Sequence, residues 1–201
     1  MNAIVLNCTL KSSPAVSNTE ALARVVTGAL ESEGVETEFV RIADFDVKPG
    51  VTMDEGNGDQ WPQIVEKVLG AEILILATPI WLGQISSVAK RVLERFDALL
   101  SETDDEGRPV AFNRVAGFVV TGNEDGAHHC IAELAQGVGD TGWTVPPQAF
   151  TYWNMGPGPG PDYLDTDHGH EWSETTGKAA ASNLLAVARA LQATPIPAPP
   201  S

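Results

Sequence analysis

The chain has 201 residues, 43% of them hydrophobic and 19% charged, and carries a formal net charge of -15. That apolar content supports one globular core and lies outside the range of disordered chains. The acidity argues against a general role on nucleic-acid backbones or anionic membranes, and any anionic ligand must be held locally by backbone amides, hydroxyls and a helix end.

In chain order, the opening MNAIVLNCTL lacks a basic flank, and its apolar stretch is too short for a secretion signal or a membrane span, so a cytoplasmic protein is expected. Residues 3–7 (AIVLN) predict a strand buried on both faces. Ala21, Leu22, Val25, Val26, Ala29 and Leu30 then recur at helical spacing, with Ser17 and Glu20 as a capping box and Gly34 as a stop. Residues 35–42 (VETEFVRI) alternate in part and predict an outer strand. An acidic loop, 44–58, leads to a short helix on Ile64, Val65, Val68 and Leu69 behind Asp59.

The run 73–77 (ILILA) predicts a central strand, and Val88, Val92, Phe96, Leu99 and Leu100 a longer helix. After a loop at 101–114 come a strand at 115–120 (VAGFVV), a helix on Ile131, Leu134 and Val138 weakened by Gly137 and Gly139, and an edge strand at 148–153 (QAFTYW). Ala181, Leu184, Leu185, Ala188 and Leu191 mark a last helix that ends before Pro195. Five strand–helix units predict an open, doubly wound parallel α/β sheet in a single domain, 1–194, with a flexible Pro-rich tail, 195–201. The two cysteines, Cys8 and Cys130, have no CxxC spacing and support neither a disulfide scaffold, a zinc ribbon nor an iron–sulfur cluster.

Ligands of such sheets bind beyond the carboxyl ends of the strands, so three loops carry most of the information: 9–19, 78–84 and 121–127. In the first, TLKSSPAVSNT, no glycine precedes Gly28, which excludes a GxGxxG turn and a GxxxxGK[ST] loop. What remains is a hydroxyl-rich loop entering a capped helix. Thr9, Ser12, Ser17, Asn18, Thr19 and free backbone N–H groups can take a phosphate, with Lys11 adding one positive charge. Taken alone, Ser17 also reads as a plain helix cap. In the second loop, TPIWLGQ, Pro79 is expected to fix the turn, Trp81 to offer a flat apolar face and Gly83 to let backbone approach a planar ligand. Trp81 fits plain packing as well. The third loop, TGNEDGA, sets Asn123, Glu124 and Asp125 between two glycines, either as a turn presenting amides or as an ordinary polar turn.

Together the loop ending in Ser17, Asn18 and Thr19, the TPIWLG element and the TGNEDG turn resemble the flavodoxin-like superfamily. Within it they are most similar to the NADPH-dependent FMN reductases and related NAD(P)H:quinone oxidoreductases, over most of the chain. The resemblance implies a three-layer sandwich on a five-stranded parallel sheet of order 2-1-3-4-5. It places the FMN phosphate in the first loop and sets Pro79, Ile80, Trp81, Leu82, Gly83 and Gln84 along the ring and ribityl chain. Thr121, Gly122, Asn123, Glu124, Asp125 and Gly126 then border the polar edge of the ring. Cys8-Thr9 replaces the Gly-Ser opening common in FMN reductases, and Lys11 stands where an arginine is frequent.

The function so implied is an FMN-dependent oxidoreductase in which NAD(P)H passes hydride to the flavin, and electrons leave to a small-molecule acceptor such as a quinone or free flavin. The cofactor carries that chemistry, so no catalytic side chain and no metal are expected, and a homo-oligomer is. The alternatives are a flavodoxin-type electron carrier without NAD(P)H turnover, and an assembly protein that binds no flavin. Residues 151–172, rich in aromatics and Gly-Pro, form a lid, a packed surface loop or an oligomer contact. Asp165, Asp167, His168, His170 and Glu171 match no established ligand spacing and read as a solvated loop. His128 and His129 open the fourth helix, where a flavin donor and a surface role both fit.

Overall fold

The computed structural model describes residues 1–200. In chain order these form β1 (Asn2–Asn7), α1 (Asn18–Ser32), β2 (Glu36–Arg41), α2 (Trp61–Leu69), β3 (Ile73–Trp81) and β4 (Gln84–Ile85). There follow α3 (Ser87–Phe96), β5 (Val115–Gly122), α4 (Ala127–Asp140), β6 (Phe150–Asn154) and α5 (His170–Ala193). The sheet order is β2-β1-β3-β5-β6 with every adjacent pair parallel, and β4 adds a short antiparallel partner to the end of β3. Apart from β4 this is the expected five-stranded order.

The continuous apolar runs of β1, β3 and β5 are explained by burial on both faces. Ile4, Leu6, Leu74, Leu76 and Phe118 pack with Trp61 of α2, Phe96 of α3 and Leu134 of α4. Their neighbours Ala3, Val5, Ile73, Ile75 and Val119 face Leu22 and Val26 of α1 and Leu184 and Leu185 of α5. One charged pair enters the first of these cores. Arg95 Nη1 lies 2.7 Å from Asp59 Oδ2 with both side chains at 0% exposure. The same guanidinium donates to the carbonyls of Lys48 (2.9 Å) and Thr52 (2.8 Å), fixing the acidic loop between β2 and α2.

Local details correct the sequence reading in four places. Only half of the capping box forms: Ser17 Oγ accepts the Glu20 N–H at 3.1 Å, but the Glu20 carboxylate pairs instead with Arg24 (2.5 Å) and Arg41 (2.7 Å). Two guanidinium groups outcompete a single backbone amide for it. Pro79 does not make the turn; it lies inside β3, opposite Thr121 of β5, past the point where β1 ends with Asn7 opposite Ala77. That exposed edge is where a strand tolerates proline. The α3 helix stops at Phe96 and continues as a 3-10 turn, Asp97–Ser101, which leaves Leu100 exposed. The last helix starts at His170, well before Ala181. Apart from Trp172, its first turns are made of small and polar residues, and they pack closely at Gly177, where a Cβ would stand 3.2 Å from Val25 Cγ1 of α1. Beyond α5, Ile196 is bonded in both directions to the Asn113 side chain. Ser201, the last residue of the expected tail, lies outside the described residues.

Candidate functional site

A cleft opens at the carboxyl edge of β1, β3, β5 and β6, with the mouth of α1 on one side. Asn7, the last residue of β1, organises that mouth. Its Oδ1 accepts the Thr9 N–H at 3.2 Å, and its Nδ2 donates to Ser17 Oγ and to Glu20 Oε2, each at 3.3 Å. Ser17 Oγ therefore accepts from Asn7 and from the Glu20 N–H, which engages both of its lone pairs. The Ser17 proton is left to donate, and Ser17 lines the cleft. Beside it the first two amides of α1, those of Asn18 and Thr19, lie ahead of the first intrahelical hydrogen bond, Ala21 N–H to Ser17 O. Thr19 Oγ1 meets Thr121 Oγ1 at 2.7 Å, both residues buried, and this bond ties the helix mouth to the end of β5.

Thr9, Lys11, Ser17, Asn18 and Thr19 of the first loop all line the cleft, whereas Ser12 faces solvent. From β3 come Pro79, Ile80 and Trp81, the last 52% exposed. Thr121, Gly122 and Asn123 supply the β5 side. The remaining candidates lie outside the lining and build its scaffold. Leu82 (φ 52°) and Gly83 (φ 73°) form the two-residue turn between β3 and β4, the conformation that matches strand twist. The Leu82 N–H donates to Glu124 Oε1 at 2.6 Å, and Gln84 Oε1 meets His129 Nε2 at 2.8 Å. Gly126 (φ 119°) sits so close that a Cβ would fall 2.7 Å from Gly83 Cα, and Asp125 packs likewise on Gly156. Leu82, Gly83, Glu124 and Gly126 thus hold the second and third loops against each other, Gln84 ties the second loop to α4, and Asp125 meets the Gly-Pro segment.

Sequence reasoning missed Leu10, Val16, Trp153, Asp162 and Tyr163, which complete the lining. The last three belong to β6 and the aromatic Gly-Pro segment, where the composition was conspicuous but no pattern said which side chains turn inward. That segment is a bonded wall. Met155 N–H reaches Gly122 O (3.0 Å), Gly160 N–H reaches Asn123 O (2.8 Å), Asn123 Nδ2 reaches Asp162 Oδ1 (3.1 Å) and Leu164 N–H reaches Asn18 Oδ1 (3.0 Å). Behind it Trp153 Nε1 donates to His168 O at 2.6 Å, and Tyr163 stacks on His170 with centroids 4.0 Å apart.

His128 packs edge-on against Tyr152 and, like His129, is not among the lining residues. Among the described residues no three His, Cys, Asp or Glu side chains gather as a metal cluster.

Lys11 and Asp162 are the charged side chains of the lining among the described residues, and their signs cancel. The lining therefore offers no net charge to an anion, only neutral donors. Cys8, beneath the first loop, is no nucleophile: burial pushes its thiol far above the usual range. Burial likewise raises Cys130, to about 11.

The sequence profile of the family described as NADPH-dependent FMN reductase matches residues 1–156. The chain belongs to this family. It is 36% identical over 206 residues to the 8-demethyl-8-aminoriboflavin-5′-phosphate synthase of Streptomyces davaonensis, covering 97% of this chain and 80% of that protein. The crystal structure of RosB with bound 8-demethyl-8-formylriboflavin-5′-phosphate superposes with a TM-score of 0.89 at 35% identity, over 98% of this chain and 82% of that one.

A protein of Mycobacterium bovis named divalent metal cation transporter MntH is 38% identical over 200 residues, 96% of this chain, but the chain spans only 29% of its length. Among the described residues no helix is long and apolar enough to cross a membrane. More distant solved structures share the fold, such as the NADH:FMN oxidoreductase EMOB at 15% identity and a TM-score of 0.63, with 90% of this chain and 88% of that one covered.

Proposed function

We propose that the cleft binds FMN, with its phosphate at the mouth of α1 and its ring along Pro79–Trp81, and that the protein is an NAD(P)H-dependent oxidoreductase acting on a small acceptor. One observation carries the reading: Ser17, its lone pairs both engaged, has only a proton to offer, beside the two leading amides of α1. A phosphate monoester takes donors and gives none, so the donor set fits it. When bound, FMN supplies two-electron chemistry between a reduced nicotinamide and an acceptor such as a quinone or free flavin. The chain's own residues bind and orient. Ser17, Asn18 and Thr19 take the phosphate, Lys11 offsets part of its charge, Pro79 and Ile80 give an apolar seat, and half-exposed Trp81 stands at the open side. Asn123, held through its Nδ2 by Asp162, lines the β5 side of the cleft.

The deciding experiment is anaerobic mixing of FMN-loaded protein with NADPH and with NADH. Bleaching of the yellow absorbance within the mixing experiment supports the oxidoreductase; a flavin that neither nucleotide bleaches supports a carrier and defeats the reading. A second reading is favoured by the 36% identity to the aminoriboflavin phosphate synthase: the flavin phosphate is the molecule changed and not a resident cofactor. Mass spectrometry of flavin recovered after turnover separates the two, since a cofactor returns with its mass unaltered.

Asp162 puts a carboxylate in the wall of a cleft that receives an anion. Asp162→Asn keeps an acceptor for Asn123 and removes that repulsion. FMN affinity is expected to rise about threefold, measured by quenching of flavin fluorescence, and the gain shrinks as salt is added. Weaker binding in the variant refutes a repulsive role.

A further inference from the structure

Residues 10–16 of the first loop are exposed, yet a site that relies on neutral donors works only if those donors are already in place. Arg41, the last residue of β2, and Asp44, at the end of the 3-10 turn that follows it, hold this loop from its outer side. The Asp44 carboxylate grips Ser13 at two points: Oδ1 accepts the Ser13 N–H and Oδ2 accepts the Ser13 hydroxyl, each at 2.6 Å. Arg41 Nη1 donates to Ala15 O at 2.6 Å, while its Nη2 reaches Glu20 Oε2 at 2.7 Å. One guanidinium thereby joins the loop to the first turn of α1. Neither Asp44 nor Arg41 lines the cleft. The bonds from Ser13 hold the Asp44 carboxyl below the usual range.

The consequence is specific to one end of the ligand. The loop touched by Asp44 and Arg41 is the one proposed to receive the phosphate, whereas the end of β3 that would seat the ring is braced by bonds that involve neither residue, such as that from the Leu82 N–H to Glu124. We infer that Asp44 and Arg41 are positioning residues that set the preference of this cleft for a phosphorylated flavin over an unphosphorylated one. The inference rests on the FMN site proposed above.

The test compares dissociation constants for FMN and riboflavin, by fluorescence quenching, in the wild type, Asp44→Ala, Asp44→Asn and Ser13→Ala. Asp44→Ala is expected to lower the FMN preference about tenfold by weakening FMN, with riboflavin within about twofold of the wild type. Asp44→Asn keeps an oxygen for the Ser13 N–H and retains most of the preference; Ser13→Ala, which loses one of the two bonds, falls between. An unchanged ratio in Asp44→Ala, or equal weakening of both flavins, overturns the inference. Should Asp44→Ala lose its thermal unfolding transition, Ser13→Ala carries the same comparison. A wild type that does not prefer FMN to riboflavin refutes the phosphate site itself, whatever Asp44 does.

Discussion

Ser17→Ala raises the dissociation constant for FMN by about 10–150-fold, the expected cost of removing a hydrogen bond worth about 1.5–3 kcal/mol to a charged group. The same hydroxyl caps α1 through the Glu20 N–H, so the variant also loses about 1 kcal/mol of stability, an amount the rest of the domain absorbs. Riboflavin separates the two losses. A damaged helix mouth that reached the ring seat would weaken riboflavin as well, whereas a lost phosphate donor leaves it alone. Ser17→Thr keeps the hydroxyl and is expected to recover most of the affinity. FMN titrations that superpose for the wild type and Ser17→Ala would remove the Ser17 hydroxyl from the site. Thr19 is the contrast: its bond to Thr121 can run in either direction, so Thr19→Ala is expected to cost less.

The parallel sheet was legible because burial on both faces leaves a one-dimensional signature: AIVL, ILILA and VAGFVV are apolar throughout, as strands of a parallel sheet between two helical layers must be. Ser17 was legible for a similar reason, since a cap is a local event. What stayed hidden depends on pairs distant in sequence. Glu20 answers Arg41, which residue spacing cannot foresee, and Gly126 is required by its approach to Gly83, 43 residues away in sequence though adjacent in space. Asp162 and Tyr163 enter the cleft because Asn123 and Asn18 bind their segment, so their orientation is a property of the assembled site and not of their own stretch of chain. The early part of α5 escaped for a different cause: its helix is packed through Gly177 and small residues, which give no apolar period.

Asp59→Asn is expected to destabilise the fold by about 3–5 kcal/mol at neutral pH, since it strips the charge partner from a wholly buried Arg95. Burial pushes the Asp59 carboxyl up, but the N–H groups of Glu55 and Lys48 and the Arg95 guanidinium outweigh it and bring the pKa from 3.8 to about 2. A depressed carboxyl stabilises the fold above its unfolded value of 3.8, and that contribution, about 2 kcal/mol, is lost as the pH falls through about 2. Urea unfolding of wild type and variant therefore shows its full gap at pH 7 and a narrowing one toward pH 2. A gap under about 1 kcal/mol at pH 7 would mean that the carbonyls of Lys48 and Thr52 suffice to hold Arg95. The pair is also linked to the site through the chain. The loop it fixes begins at Asp44, so an Asp59→Asn protein that still folds should lose part of its FMN-over-riboflavin preference, and Asp59→Leu with Arg95→Met, which removes both charges together, should recover stability without recovering that preference unless Asp44 returns to Ser13.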